Sequence, residues 1–301
     1  MIITHIPVLL KESLDYLAVN PVGIYIDATF GSGGHAFAIH EKLSPQGMLI
    51  AFDRDEEVIS HFSTTLPDNL YLFHSTFSYI QHFLKYLNID KVDGILADLG
   101  ISTHQLESPH RGFSYQIDAP LDMRMNKNAE LTATLVINTY SLEELTRIFR
   151  TYGELKEAYK LSQLIVEKRK TKKIDTTQKL VEAIKPVTPS KGTFAFLSKV
   201  FQAIRIEVNQ ELKELESLLL QAEKWLKPQG RLVLISYHSL EDKLVKEFLN
   251  KETVDYERLI YGKRSNAAWK PLTKKPVTPS AEEIKSNPKS RSAKLRAAVK
   301  L

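Results

Sequence analysis

The stretch YIDATFGSGGH, residues 25–35, ends an apolar run in an acidic side chain, Asp27, and then places three glycines within four positions. A glycine turn between a strand and a helix lets a ligand approach the backbone closely, with N–H groups directed at it. Two further apolar runs also end in a carboxylate: GMLIAFD at Asp53 and VDGILAD at Asp98. Asp53 lies 19 residues after Gly34, where an acidic side chain accepts hydrogen bonds from the ribose hydroxyls of an adenosine. The glycines and Asp53 together point to an adenosine-bearing cofactor. Asp27 is placed to meet an ammonium group and Asp98 to favour a nearby cation, and both lean towards S-adenosylmethionine. Gly31, Gly33 and Ala36 also satisfy the loose G-x-G-x-x-G/A pattern, which leaves a nicotinamide dinucleotide as the alternative.

Several chemistries find no support. No G-K-[ST] follows the glycines, so no P-loop is expected. The 301 residues include no cysteine, which removes disulfides, thiolate nucleophiles and Cys-based zinc sites. His35 and His40 do not form an H-E-x-x-H helix, and no metal is expected. The apolar run 6–10 is five residues long and contains Pro7, which fits neither a signal peptide nor a membrane span. A cytoplasmic protein with no membrane partner is the expectation. The net charge of +5 is uneven: residues 251–301 hold 13 Lys and Arg against 5 Asp and Glu. Such a basic segment suggests an anionic partner, nucleic acid first, or else a solvated basic face.

The elements that must position these groups alternate. Strand-like runs at GIYIDAT, GMLIAFD, NLYLFHS and VDGILADLG are separated by helical patterns at 34–43, 56–65 and 77–87. Near-continuous apolar strands between amphipathic helices indicate an α/β fold with a parallel sheet covered on both faces. The rhythm stops at about residue 105 and gives way to polar, Pro-containing and helical sequence, including a capping box at Ser141 and Glu144. It resumes with one long amphipathic helix through 201–226, a strand at RLVLISYHS, and a helix capped by Ser239 and Asp242. TVDYERLIYG and RSAKLRAAV read as late strands, the second with a positive outer face.

Eight blocks in order carry a resemblance: HIPVLLKE, YIDATFGSGGH, AFDRD, DGILADLGIS, RGFSYQIDAPLDMRM, FQAIRIEVNQEL, SYHSLEDKLVK and NPKSRSAKLRAA. With these, the chain resembles the bacterial rRNA small-subunit methyltransferase H family over nearly its whole length. The resemblance implies a class I, Rossmann-like methyltransferase sheet from residues 1–104 and 201–301, with 105–200 as an inserted, mostly helical substrate-recognition domain. It implies S-adenosylmethionine as cofactor and N4 of a cytidine in 16S rRNA, cytidine 1402 in the family's numbering, as acceptor within the small ribosomal subunit. Carried over by motif, Gly33, Gly34, His35, Asp53, Phe77, Asp98 and Gln105 bind the cofactor.

The D/N-P-P-Y/F box of many amino-methyltransferases is replaced by DLGIS, so the residue that positions the cytosine amine stays open among Asp98, Ser102, Asp118, Asp122 and His238. Arg111, Phe113, Tyr115 and Arg124 are the RNA-binding candidates, the aromatics for stacking and Arg111 for phosphate. An Asp–Arg pair locking PLDMRM as an ordered loop is the structural alternative. Three departures from the family pattern, FAFLSKVFQA, YGELKEAYK and Tyr237 in place of a phenylalanine, bear on RNA contact and leave the cofactor residues intact. A non-catalytic RNA-binding assembly factor and a nicotinamide-dependent oxidoreductase are the competing functions.

Overall fold

The computed structural model describes residues 7–62, 64, 66–250 and 268–301. Among the described residues, seven strands form one sheet: β1 (Ile24–Asp27), β2 (Met48–Asp53), β3 (Leu70–His74), β4 (Val92–Asp98), β5 (Leu226–Ser236), β6 (Trp269–Pro271) and β7 (Lys294–Lys300). Their order is β3-β2-β1-β4-β5-β7-β6. β1 to β5 run parallel, and β7 is antiparallel to both β5 and β6. The order reverses between β1 and β4. That makes a switch point, outside whose carboxyl ends a doubly wound sheet binds its ligands.

The chain divides into two compact units, Met1–Gly100 with Leu212–Leu301, and Ile101–Glu211. The first holds the sheet with α1 (Leu10–Leu17), α2 (Gly34–His40), α3 (Glu56–Phe62), α4 (Ile80–Tyr86), most of α11 (Glu211–Trp225), α12 (Ser239–Leu249) and α13 (Ala281–Ser286). The second holds α5 (Thr103–Glu107), α6 (Ala133–Thr139), α7 (Leu142–Thr151), α8 (Ala158–Thr171), α9 (Thr177–Ile184) and α10 (Thr193–Asn209).

Alternation along each strand feeds two cores. Ile26, Ile50, Phe52, Ile95 and Leu234 pack on one face with Leu84 and Leu219. Tyr25, Leu49, Ala51, Leu96 and Val233 pack on the other with Leu17 and Ile39. Covering both faces explains why these strands are apolar throughout. The helical unit has its own core of Ile137, Ile148, Phe149, Leu161, Ile165, Leu180, Val200 and Ile204. The Ser141–Glu144 capping box forms at the start of α7.

Four sequence expectations change. Residues 201–211, expected with the sheet, stand in the helical unit. The single helix expected over 201–226 is two, broken at Gln210, whose φ of 51° is left-handed. Asn209 accounts for the break: its Nδ2 donates to Met123 O (2.7 Å) and Arg205 O (3.0 Å), and its Oδ1 accepts from Met125 N–H (2.7 Å). α12 is capped one residue early, by His238 and Glu241. β7 shows no positive outer face: Ala297, Ala298 and Leu295 are buried. Arg296 is buried, its Nε donating to Asp242 Oδ1 at 2.6 Å, and the partly exposed Lys294 pairs with the same carboxylate, Nζ to Oδ2 at 3.4 Å. The other late strand candidate, TVDYERLIYG, lies outside the described residues.

Because Asn209 ties the 123–125 segment to the end of α10, Asn209→Ala should cost about 1–3 kcal/mol through backbone groups left unpaired. Urea unfolding at unchanged m-value is the measurement.

Candidate active site at the carboxyl edge of the sheet

Register brings three carboxylates to one edge. Asp27 pairs with Ala51 on β2 and with Leu96 on β4, so Asp53 and Asp98 each lie two residues further along, one on either side. The turn after β1 is tied to both neighbours. Phe30 N–H donates to Phe52 O and Ala28 N–H to Leu96 O, each at 2.8 Å. Gly31 N–H donates to Asp53 Oδ2 at 2.7 Å, and Asp55 N–H to Asp53 Oδ1 at 2.8 Å. Asp98 N–H donates to Thr29 Oγ1 at 2.7 Å.

The glycines have different reasons. A Cβ on Gly33 would lie 2.4 Å from the Phe37 ring, and one on Gly34 would lie 2.3 Å from Pro7 Cγ. Any contact these two make with a ligand therefore runs through their backbone. Gly31, at φ 54°, is the one whose missing side chain leaves open space. His35 is buried, with Nε2 3.0 Å from Val8 O and Nδ1 3.8 Å from Asp98 Oδ2. Phe77 is buried beneath the Arg54 guanidinium, 5.6 Å from its ring centre.

Asp98 has a partner that sequence reasoning registered only as a departure from the family pattern. Tyr237 Oη donates to Asp98 Oδ1 at 2.7 Å. Tyr237 is held by Glu241, whose Oε2 accepts the Tyr237 N–H at 2.8 Å. His238, a catalytic candidate, is occupied as the N-cap of α12: its Nδ1 accepts the Glu241 N–H at 3.3 Å. This cap is displaced by one residue from the Ser239–Asp242 pair that the sequence suggested, with a His ring nitrogen in the place of the usual hydroxyl.

In the helical unit, structural roles account for most candidates. Ser102 and Gln105 cap α5 reciprocally: Gln105 N–H donates to Ser102 Oγ (3.1 Å), and Ser102 N–H to Gln105 Oε1 (3.2 Å). Arg111 is 3% exposed, with Nη2 on the carbonyls of Arg124 and Met125. The expected phosphate contact by Arg111 gives way to a buried strut. Phe113 is buried in the helical core, so it offers no stacking face. Tyr115 packs edge-on against Phe201, with its Oη 3.2 Å from Ser198 Oγ. Asp122 and Arg124 form a two-point pair (2.9 and 2.7 Å), and Arg124 Nη1 also holds the carbonyls of Lys127 and Ala129. This is the ordered-loop reading of PLDMRM. Although burial opposes it, the Arg124 pairing holds the Asp122 carboxyl below its usual range. Asp118 is exposed and accepts the Gln178 N–H at 3.3 Å.

The profile of the MraW methylase family matches residues 2–301. The chain belongs to this family. It is 49% identical to the ribosomal RNA small subunit methyltransferase H of Amoebophilus asiaticus, across 97% of this chain and 94% of that one. It is 48% identical to the protein of the same name from Caldicellulosiruptor saccharolyticus, across 99% of both. Among solved structures it is similar to an rRNA methylase from Streptococcus thermophilus, at TM-score 0.39 and 13% identity across 99% of both. The family is one of S-adenosylmethionine-dependent methyltransferases acting on ribosomal RNA. No helix among the described residues is long and apolar enough to cross a membrane.

The methylase's carboxylates fit that cofactor's positive charge. Asp27 is fully buried; its Oδ1 accepts the Thr29 N–H at 3.0 Å, and among the described residues its Oδ2 has no hydrogen-bond partner. Burial, with Asp53 nearby, pushes Asp27 up to about 7. Burial also pushes Asp98 up to about 7, against the Tyr237 hydrogen bond and with the help of Asp27. Asp53 is raised by burial, opposed by its bonds from Asp55 and Gly31. A cation would complete an orphaned carboxylate oxygen in a cluster of this sign.

Asp27 binds its proton more tightly folded than unfolded. Its contribution is therefore harmless below the unfolded value of 3.8 and destabilising as pH rises towards about 7. Without cofactor, Asp27→Asn should gain stability over the parent progressively from about pH 4 to about 7, by at most about 4 kcal/mol, and then level off. Thermal melts of the two proteins across that range provide the check.

Proposed function

We propose that this methylase transfers the methyl group of S-adenosylmethionine to the exocyclic N4 of a cytidine in 16S rRNA, cytidine 1402 in the family's numbering, in the decoding region of the small ribosomal subunit. The observation that carries the reading is the full-length similarity to relatives named for small-subunit rRNA, in a chain whose sheet edge gathers Asp27, Asp53 and Asp98. A cytoplasmic location accords with that substrate.

The bound cofactor supplies an electrophilic methyl group on a sulfonium, and the protein's task is alignment. Asp27 Oδ2 would accept from the ammonium group, Asp53 from the ribose hydroxyls, and Phe77 would pack by the adenine. Gly33, Gly34 and His35 frame the turn. A cytosine amine is a poor nucleophile because its lone pair is conjugated into the ring. An acceptor on its N–H directs that lone pair towards the methyl group. Asp98 suits this role best among the candidates. Ser102 and His238 are engaged in helix caps, Asp122 is paired with Arg124, and Asp98 Oδ2 keeps accepting capacity at the end of β4. The proton leaves after transfer, so no strong base is required. The inserted unit serves substrate recognition, and the target base leaves its stack to react.

The test is transfer of labelled methyl to small subunits from a strain lacking this modification, with naked rRNA and duplex DNA alongside. N4-methylcytidine in the subunits is the expected product. S-adenosylhomocysteine bound with no label on any polymer would instead indicate a non-catalytic RNA-binding factor. Calorimetry separates the carboxylates. Asp27→Asn should weaken S-adenosylmethionine and S-adenosylhomocysteine equally, on the order of tenfold or more, because both carry the ammonium group. Asp98→Asn should weaken the sulfonium ligand more than its neutral product.

A further inference from the structure

The densest run of positive charge in the chain is KRKTKK, residues 168–173, where five of six side chains are Lys or Arg. It spans the end of α8 and the residues that follow, within the helical unit. Lys168, Lys170, Lys172 and Lys173 are exposed, and the ion pairs among the described residues include none of them. The carboxylate of Asp175 is taken by Lys179 at 2.5 Å. Arg169 behaves differently: half-buried, it donates from Nη1 to Ile137 O at 2.7 Å. Just past the run, Ile174 is buried, and Asn138 clamps both its backbone groups, Nδ2 to Ile174 O at 2.7 Å and Ile174 N–H to Oδ1 at 3.1 Å. The lysines therefore sit on a segment fixed at both ends to the last turns of α6.

A helix C-terminus favours cations by about 0.3–1 kcal/mol each, but only within its last turn. That accounts for Lys168 and Lys170. It does not account for Lys172 and Lys173, which follow the helix end. Runs of like charge repel and are commonly disordered; here the backbone is pinned while the ammonium groups are left to solvent. A polyanion that meets several of them at once turns the repulsion into attraction and releases counterions.

We propose that Lys168, Lys170, Lys172 and Lys173 form a shelf that docks the sugar–phosphate backbone of the RNA substrate. Naming RNA as the polyanion rests on the rRNA methylation reading. The shelf supplies affinity and orientation but no base specificity, since phosphate contacts carry none.

The full-length protein with all four lysines changed to Gln is compared with the parent and with a set changed to Arg. Binding to small subunits and to a 16S rRNA fragment is measured across salt concentrations, alongside S-adenosylmethionine affinity and melting temperature. The Gln set should lower the slope of log affinity against log salt by about 3 and weaken RNA binding on the order of a hundredfold at low salt. Its KM for RNA should rise while kcat at saturating RNA, cofactor affinity and melting temperature hold, and the Arg set should behave as the parent. An unchanged KM and salt slope would overturn the shelf while leaving methyl transfer intact. A parent that binds RNA through these lysines yet transfers no methyl would support the shelf and count against the methyltransferase reading alone. Binding of the four lysines to phosphatidylglycerol vesicles, with none to RNA, would also overturn it.

Discussion

Three carboxylates crowded at the carboxyl edge of a parallel sheet are the constraint around which the first unit is organised. Asp27 is fully buried, and among the described residues one of its oxygens has no hydrogen-bond partner. A fold does not hold such a group cheaply; burying an unpaired carboxylate raises its pKa until it neutralises. The surrounding hydrogen bonds act in the opposite sense. Gly31 and Asp55 donate to Asp53, Thr29 to Asp27, and Tyr237 to Asp98. Each favours the ionised form. The edge is thus poised between neutral and charged, and a cationic ligand would shift it towards the ionised form.

The scaffolding follows from that requirement. β1 must be flanked on both sides for Asp53 and Asp98 to bracket Asp27, which the switch between β1 and β4 provides. The turn must approach both strands, which the N–H groups of Ala28 and Phe30 secure, while glycines at 33 and 34 leave room for Phe37 and Pro7. Tyr237 must be aimed, and Glu241 does this by accepting its N–H at the start of α12. In the second unit a comparable logic fixes a loop instead of a ligand edge. Arg111, Arg124 and Asn209 spend their donors on the carbonyls of residues 123–129.

Much of the sheet unit was legible in the sequence, because parallel strands buried on both faces are long apolar runs and their ends are marked by Asp27, Asp53 and Asp98. The helical insertion was legible as a break in that rhythm. Its internal wiring was not. The burial of Arg111 depends on carbonyls 13 and 14 residues away, which no local pattern reveals. The same holds for Phe113, whose neighbours come from distant helices. The break at Gln210 was hidden because a non-glycine residue takes the left-handed conformation there. The charge of β7 misled for a related reason: an alternating Lys/Arg pattern looks solvent-facing until Asp242, over fifty residues earlier, is brought against it. Tyr237 stood out only as a departure, and its hydroxyl proves to be the partner of Asp98.

The most direct test of the poised edge is the proton count on cofactor binding, measured near pH 6.5 by calorimetry in buffers of different ionisation enthalpy. Carboxyls raised to about 7 at Asp27 and Asp98 should ionise as S-adenosylmethionine binds, releasing on the order of one proton per site. S-adenosylhomocysteine, lacking the sulfonium charge, should release fewer. Binding of both ligands with no buffer-dependent heat would contradict the account, because it would mean that the carboxylates do not respond to the cation they are held to meet.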